Sequence, residues 1–337
     1  MKKIVLFLFV IIGSCVVTGS MAQDKTGMHI INTFHITSPG GWDYIEVGPL
    51  HDWLYVSHGN QVNVINYKTG DSAGIVENTG GVHGIGFDQA SGKGYTSNGK
   101  TNTLTVFDLN TNKVLGQVSV GQGPDAIFFD PYSKKIITCN GRSKNLSIID
   151  TKTDKLTDSV DIGGRPETAV SDEAGRIYVN LEDKNQIAVV DTKTWKVINT
   201  WSLAPGDGPT GLAIDRATHR LFSGCDKLLV VMDATNGKII DKLTIGDGCD
   251  GVVFDPGTKN VYTSNGEGTI TVIHEESANK FSVVDNIKTK RSARTIAINK
   301  ETHRLYLPAA DFEPMEPGQK GRPKMKPGSF QVIEVGK

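Results

Sequence analysis

Short apolar runs of about four residues recur along the chain, and residues typical of turns separate them. The clearest copy of this pattern spans Gly121–Ile162. Runs this short, rich in Ile and Phe and bounded by Gly, Pro, Asn and Asp, are typical of β-strands joined by hairpins. Helices would need longer windows with apolar residues three and four positions apart, which this copy lacks. Its four runs are Ala126–Phe129, Lys135–Thr138, Leu146–Ile149 and Leu156–Val160.

The third run of each copy reveals the repeat period, because it ends with two apolar residues and one polar residue. The first six of these markers are 41 or 42 residues apart, and the seventh follows 60 residues after the sixth. Four strands per copy at this period are typical of a β-propeller blade. The sequence therefore predicts an all-β fold, a seven-bladed β-propeller with four-stranded blades. The polar marker residues are Asn66, Asp108, Asp150, Asp191, Asp233, His274 and Glu334.

The two ends of the repeat are predicted to share one blade. The last copy has only three strands, whereas Met28–Ile36 is an isolated apolar run that resembles the fourth strand of another copy, Lys196–Leu203. An N-terminal strand that completes the last blade closes the ring and removes two exposed sheet edges. The predicted blades cover 42–79, 82–121, 124–163, 166–204, 209–246, 249–288, and 293–337 together with 28–36.

Residues 1–22 have the pattern of a secretory signal peptide. Two lysines precede an apolar core at Ile4–Ile12, and the small residues of Ser20–Ala22 form a cleavage site. The apolar core is too short to span a membrane. We therefore expect a mature chain of residues 23–337, a single propeller domain without a transmembrane segment, in the periplasm or secreted. The alternative is a lipoprotein anchored at Cys15, because the residues before it loosely resemble a lipobox.

The charge pattern excludes two classes of partner. The formal net charge is −1, from 36 basic and 37 acidic residues, and both signs are scattered along the chain. There is no basic block of the kind that nucleic-acid binding requires, so we expect no nucleic-acid partner. There is also no amphipathic helix for a membrane surface. We expect a monomer that binds a small molecule, a peptide or a partner protein.

One segment, residues 309–328, interrupts the period between the second and third strands of the seventh blade. It contains four prolines and four basic residues, a composition that forms neither strand nor helix well. The simplest interpretation is an inserted surface loop. The alternative is a lid or partner-docking loop over one end of the propeller, because long loops in compact domains are often functional.

The residues that begin the inner strands are the candidate binding site. In a propeller they surround one end of the central channel, here named the channel mouth, and the loops between second and third strands open on the same face. Convergent charged groups at a concave site favour ligand binding. The alternative is that these residues cap strand starts and face channel water. The inner positions are Asp43, His83, Asp125, Glu167, Thr210, Asp250 and Arg294, and the polar loop residues are His58, Asn98, Asn140 and Asn265.

The alternative to a metal-free channel mouth is one that binds a divalent cation. Carboxylate oxygens of Asp125, Glu167 and Asp250 with a nitrogen of His83 form a suitable ligand set. No spaced metal motif supports it, since the chain has neither His-Glu-x-x-His nor an EF-hand loop, and no Gly-rich nucleotide motif precedes a helix. We therefore expect no cofactor, and the sequence assigns no catalytic residue.

Three of the four cysteines lie in the predicted mature chain. Exported proteins meet an oxidising compartment that favours disulfides. Cys225 and Cys249 are predicted on the same face of neighbouring blades, so they are candidates for a disulfide. Cys139 ends the second strand of the third blade, and we expect it to be an unpaired, buried thiol.

The second strands share a Tyr-x-Ser/Asn-x pattern, and Gly-x-x-Pro precedes several inner strands. With these motifs, nearly the whole predicted mature chain resembles the YVTN family of bacterial β-propeller repeats. The resemblance implies an exported binding or surface protein. The motifs stand at Tyr55–His58, Tyr95–Asn98, Tyr178–Leu181 and Tyr262–Asn265, and at Gly121–Pro124, Gly163–Pro166 and Gly206–Pro209.

Two classes of function follow. The first is an exported, non-catalytic binding propeller that uses its channel mouth for a small ligand, a peptide or a partner protein. The alternative rests on similar propellers, which include lactonases that cleave sugar lactones and a lyase that opens a cyclic peptide antibiotic. In that case the mouth carboxylates hold a divalent cation and His83 acts as acid or base. No catalytic residues of either enzyme group match this chain, so we favour binding.

Overall fold

A computed structural model describes residues 26–314 and 323–337. The predicted signal peptide at 1–22 and the alternative lipid anchor at Cys15 lie outside the described residues. Within them, seven antiparallel sheets of four strands each form the blades of a β-propeller, which confirms the predicted all-β fold. Two short 3₁₀ helices, Gln89–Ser91 and Glu182–Lys184, interrupt the strands. The described part of the chain contains no helix with the length and hydrophobicity that a membrane crossing requires.

The first four blades follow one another along the chain. Blade 1 contains β2 (Trp42–Val47), β3 (Trp53–His58), β4 (Gln61–Asn66) and β5 (Ser72–Val76). Blade 2 contains β6 (Val82–Asp88), β7 (Lys93–Asn98), β8 (Thr103–Asp108) and β9 (Val114–Ser119). Blade 3 contains β10 (Pro124–Asp130), β11 (Lys135–Asn140), β12 (Asn145–Asp150) and β13 (Lys155–Asp161). Blade 4 contains β14 (Pro166–Ser171), β15 (Arg176–Leu181), β16 (Gln186–Asp191) and β17 (Lys196–Ser202).

The remaining blades complete the ring. Blade 5 contains β18 (Leu212–Asp215), β19 (Arg220–Cys225), β20 (Leu228–Asp233) and β21 (Ile239–Thr244). Blade 6 contains β22 (Cys249–Asp255), β23 (Asn260–Asn265), β24 (Thr269–Ser277) and β25 (Lys280–Lys288). Blade 7 contains β26 (Ala297–Asn299), β27 (Arg304–Ala309), β28 (Gln331–Gly336) and β1 (His29–His35).

Burial changes from the inside of each blade to its outside, and this explains the apolar pattern. In blade 3, every residue of β11 after Lys135 is buried. Strands buried on both faces read as continuous apolar runs. The outermost strand, β13, is exposed except at Val160, so its sequence tolerates polar residues. The turn between β12 and β13 forms because the Asp150 carboxylate accepts hydrogen bonds from the Lys152 and Thr153 amides.

The strand that precedes the first blade closes the ring, as predicted. Strand β1 pairs antiparallel with β28, with His29 opposite Gly336 and His35 opposite Gln331. Phe34 of β1 is buried in a core shared by blades 7 and 1. The first and last strands of the propeller therefore form one sheet, and both edges that an open ring would expose are paired.

The tyrosine of the second-strand motif joins neighbouring blades. Tyr55, Tyr95 and Tyr178 are almost completely buried between sheets. The Tyr55 hydroxyl donates to Oδ1 of Asn112 at 3.1 Å, and the Tyr95 hydroxyl donates to Oδ1 of Asp154 at 2.7 Å. Each bond reaches the outer turn of the next blade along the chain. A buried tyrosine needs such a partner for its hydroxyl, so the motif fixes blade-to-blade packing.

The flanks of the predicted loop at 309–328 are packed at the edge of the channel mouth. Phe312 and Met325 form an isolated bridge, and the Glu313 amide donates to the Lys324 carbonyl at 2.8 Å. The Phe312 ring lies 6.0 Å from the ring of Trp42 in the first inner strand. Phe312 and Met325 therefore attach these flanks to the propeller beside the mouth. Residues 315–322 lie outside the part of the chain that the structure describes.

The predicted disulfide between Cys225 and Cys249 is not present. Both residues are free, buried thiols, as is Cys139. A Cβ added to Gly224 would lie 2.6 Å from Sγ of Cys249, so that thiol packs against the Gly224 side of β19. Cys225 is the next residue along this strand, and successive strand residues point to opposite faces. The two thiols therefore belong to different cores, one on each side of blade 5.

Candidate functional site

Bulges in the inner strands aim the candidate side chains at the channel mouth. In blade 1 the register shifts between Trp42 and Ile45, which leaves Asp43 in the irregular step. A bulge bends its strand and redirects a side chain. The corresponding shifts in blades 2, 3, 4 and 6 lie between Val82 and Ile85, Pro124 and Ile127, Pro166 and Ala169, and Cys249 and Gly251.

Serines of the second strands hold the bulged backbone. The Asp43 amide donates to Oγ of Ser57 at 3.0 Å. Oγ of Ser97 donates to the carbonyl of Asp125, which belongs to the next blade. Oγ of Ser264 makes the same kind of bond to the carbonyl of Arg294. The serine of the repeat motif therefore fixes the backbone of these mouth positions from behind, without using their side chains.

The channel mouth is an open cavity of about 710 Å³. Five of the predicted inner positions line it: Asp43, His83, Asp125, Glu167 and Arg294. Asp250 instead lines a second, smaller cavity of about 200 Å³ between the inner strands. Thr210 contributes no free group, because its hydroxyl donates to the Cys249 carbonyl at 2.7 Å. The structure therefore brings six of the seven predicted inner positions together.

On one side of the mouth, charged groups of both signs are paired. Nδ1 of His83 lies 2.6 Å from Oδ2 of Asp43 and 3.7 Å from Oδ1 of Asp125. Nη2 of Arg294 lies 3.4 Å from Oδ1 of Asp43, and its Nη1 forms an ion pair with Asp250. The hydrogen bond that the His83 imidazole donates to Asp43 raises the pKa of His83 against the opposing effect of burial. His83 and Arg294 thus partly neutralise the mouth carboxylates.

Towards blades 3 and 4, the carboxyls of Asp125 and Glu167 are poorly solvated and repel each other. Burial, and then repulsion from Asp43, raise the pKa of the Asp125 carboxyl above its usual range. Burial, Asp125 and Glu182 raise the pKa of Glu167 in the same direction. Like-charged carboxyls in a poorly solvated site favour proton uptake or a cationic partner. This side of the mouth is therefore suited to a positively charged group.

The predicted metal set is only partly grouped by the structure. Among the described residues, Asp43, His83 and Asp125 offer ligand atoms that all lie within 4.8 Å of one another. Glu167 and Asp250, which the sequence suggested as ligands, are not in this group. Asp250 is instead paired with Arg294. Asp43 joins His83 and Asp125 because blades 1, 2 and 3 are consecutive in the ring, whereas Asp250 belongs to blade 6.

The four loop residues predicted at the mouth are structural, and that part of the prediction is wrong. His58, Asn98, Asn140 and Asn265 are all fully buried. The amide nitrogens of the three asparagines donate to hydroxyls on the adjacent third strand, at 2.9 Å from Asn98 to Thr105. A buried amide needs such partners.

His58 is held in the same way. Its ring nitrogens lie 2.8 Å from Oγ of Ser38 and 2.9 Å from the Gly40 carbonyl, and its ring stacks on Phe330. Burial lowers the pKa of His58.

Comparisons with known proteins support the fold and no finer assignment. No family model matches this chain, so the YVTN resemblance stays a prediction. No curated protein matches it either. Among solved structures, it is similar to hydrazine synthase from Kuenenia stuttgartiensis, with a TM-score of 0.72 and 14% sequence identity. The match covers 81% of this chain and 94% of that chain. At this identity, the similarity shows the propeller fold alone.

The sequence pattern missed the cations at the rim of the mouth. Lys100, Arg142 and Arg165 line the same cavity as the carboxylates. Arg165 pairs with Glu182, whereas Arg142 donates only to uncharged oxygens, at 2.6 Å to the Gly99 carbonyl. Among the described residues, no carboxylate lies within ion-pair distance of Lys100 or Arg142. Both follow an Asn-Gly pair in the loop after a second strand, and this shared position was the signal that could have identified them.

Proposed function

We propose that this protein is an exported, non-catalytic binding propeller that captures a small charged ligand at its channel mouth. The observation that carries the proposal is the convergence of acidic, imidazole and guanidinium groups from five blades around one cavity. Pockets with a few convergent polar groups are the usual location of ligand sites. The export of the chain rests on the predicted signal peptide, and its YVTN resemblance agrees with such a role. We continue to expect a monomer.

The charge arrangement supports a ligand that carries both signs. A positively charged group near Asp125 and Glu167 would relieve the repulsion that raises their pKa values. A negatively charged group at the rim would find Lys100 and Arg142, which have no carboxylate partner among the described residues. Zwitterions with separated charges, including short peptides with free ends, have this chemistry.

The test is a ligand screen on the mature protein in buffer that contains EDTA. The probes are γ-aminobutyrate, tetraalanine, putrescine and succinate, with thermal shift followed by calorimetry. We expect a zwitterion to bind more tightly than the dication or the dianion. Loss of one charged hydrogen bond weakens binding by about 10- to 100-fold, so Glu167→Gln and Arg142→Ala should each do so. Lys152→Ala, in an exposed turn of the outer strands, is the control.

Two outcomes contradict this proposal. Either no zwitterion of the panel binds, or a zwitterion binds with equal affinity to the unmodified protein and to both mouth variants.

The second candidate is a metal-assisted lactonase or lyase. It is favoured by one observation, the grouping of Asp43, His83 and Asp125. A divalent cation polarises a carbonyl oxygen, and a neighbouring side chain moves the proton. Hydrolysis of gluconolactone by the protein with added Zn²⁺ or Mn²⁺, faster than with the metal alone and lost in His83→Ala, would favour this candidate over simple binding.

A further inference from the structure

Three potential metal-ligand atoms meet at the mouth: Nδ1 of His83, Oδ2 of Asp43 and Oδ1 of Asp125. A single hydrogen bond from His83 does not satisfy both carboxylates. Nδ1 of His83 points towards two carboxylates at once, at 2.6 Å from Asp43 and 3.7 Å from Asp125. One proton on Nδ1 makes one good hydrogen bond, which goes to Asp43. At 3.7 Å the second contact is too long to be a hydrogen bond.

The carboxylate left without a hydrogen bond from His83 is that of Asp125. Its Oδ1 atom is buried and accepts no hydrogen bond in the described structure. A buried acceptor without a partner costs free energy, about 1 to 3 kcal/mol and more for charged groups. This oxygen is aimed at the imidazole, and a cation seated between the three side chains would satisfy it together with Asp43 and His83.

The surrounding residues hold the side chains of Asp43, His83 and Asp125 in place. Arg294 contacts Oδ1 of Asp43, which leaves Oδ2 directed at His83. His83 lies against the loop of its own blade, where a Cβ on Gly99 would be 2.6 Å from Nε2. The backbones of Asp43 and Asp125 are fixed by second-strand serines. Supporting contacts of this kind orient the ligands of metal sites.

We propose that Asp43, His83 and Asp125 bind a first-row transition-metal ion, with its open coordination positions facing the channel mouth. The donor set selects the class of ion. Imidazole nitrogen suits Zn²⁺, Co²⁺, Fe²⁺ and Ni²⁺, and carboxylate oxygen extends the set to Mn²⁺. Ca²⁺ prefers six to eight oxygen ligands, which this site does not offer. The inference rests on the proposed role of the mouth as the binding site.

The test measures metal binding directly, without any organic ligand. Untagged protein is stripped with EDTA, dialysed, and titrated with Zn²⁺, Mn²⁺ and Ca²⁺ by calorimetry, and its bound metal is counted by elemental analysis. We expect one equivalent of Zn²⁺ or Mn²⁺ to bind more tightly than Ca²⁺. His83→Ala and Asp125→Asn should each weaken binding by about 100-fold or more, because they remove a ligand rather than a supporting contact.

Two exposed residues far from the site provide matched controls, His35→Ala for the imidazole and Asp158→Asn for the carboxylate. Circular dichroism of all four variants checks that each is folded. Binding of no ion, tighter binding of Ca²⁺, or equal Zn²⁺ affinity in the site variants and the controls would overturn the inference. Because the zwitterion screen is run in EDTA, binding there with no metal site refutes this inference alone, whereas metal binding without any zwitterion refutes only the proposed function.

Discussion

At the scale of single residues, burial in the channel decides how a carboxyl behaves. Glu46 of the first inner strand lines the narrow part of the channel. Burial raises the pKa of Glu46 to about 7, against a smaller opposing effect of Lys300. The folded protein therefore holds a proton on Glu46 at pH values where the unfolded chain has lost it, and folding stability falls as pH rises from about 4.5 to 7.

Glu46→Gln should remove this pH dependence. We expect the variant to match the unmodified protein near pH 4.5 and to be more stable above pH 7, by about 1 to 3 kcal/mol. The measurement is the midpoint of thermal unfolding at a series of pH values. The exposed Glu77→Gln is the control. A stability difference between Glu46→Gln and the unmodified protein that stays constant from pH 4.5 to 8 would show that Glu46 is not the titrating group.

Gly99 should control the position of His83. A methyl group on Gly99 would lie 2.6 Å from Nε2 of His83, so Gly99→Ala must displace the imidazole from Asp43. The pKa of His83 should then fall towards its ordinary value, which NMR titration of the ring protons measures. Gly141→Ala is a matched control, because the nearest atom to its added methyl would be 3.7 Å away. An unchanged His83 titration in Gly99→Ala would contradict this geometry.

The residue scale is also where sequence reasoning was least complete. The inner positions such as Asp125 were identified because the repeat aligns them at one end of the channel. Asn98 was misplaced because the period locates a residue in a loop but does not say which way its side chain points. The buried amide partners of Asn98 lie on the next strand, and that register appears only in the folded sheet.

At the scale of strands, two segments of blade 7 are expected to contribute very differently to stability: strand β1 and the inserted loop at 309–328. Strand β1 supplies a complete ladder to β28 and part of the core between blades 7 and 1. In the inserted loop at 309–328, the Glu313 amide donates a hydrogen bond to the Lys324 carbonyl. This bond holds the two ends of the intervening segment together, so a shorter linker can replace that segment. Loop closure entropy changes slowly with length.

Deleting Met28–Ile36 should therefore lower the unfolding midpoint by many degrees or prevent folding. Replacing residues 315–322 with Gly-Ser should shift the midpoint by only about 1 or 2 °C, since a change near 0.6 kcal/mol accompanies a doubling of loop length. The check is thermal unfolding of both proteins beside the unmodified one. Equal midpoints for the two variants would defeat the closure argument.

The strands themselves could be predicted, and their bulges could not. Apolar runs bounded by Gly, Pro, Asn and Asp define where most strands start and stop. The bulges at Asp43 and its equivalents depend on how a strand pairs with its neighbour, and no residue type marks them. Their effect is nevertheless central, because they direct the inner positions into the mouth.

At the scale of the whole molecule, the fold was the easiest property to predict, because seven copies of one unit leave few other arrangements. The distribution of charge was harder. A net charge of −1 hides a mouth that combines three carboxylates with the rim cations Lys100, Arg142 and Arg165, because these residues come from several blades. Only the closed ring brings them within one cavity.

The export of the molecule is a separate prediction, which concerns residues outside the described ones. Intact-mass analysis of protein made with its own leader should give a chain that begins at Gln23. The reason is the small-x-small site at Ser20–Ala22 that follows an apolar core. A chain that begins at Cys15 with the added mass of a diacylglyceryl group would instead make it a membrane-anchored lipoprotein.

The pairing of β1 with β28 also determines when the ring can close during synthesis of the chain. The two strands are separated by about 300 residues, so β1 leaves the ribosome long before its partner exists. At about 5 to 20 residues per second, the delay is roughly 15 to 60 s. Throughout that time β1 has no neighbouring strand with which to pair. The ring therefore closes only with its last strand, and a chain shortened before β28 would leave β1 unpaired.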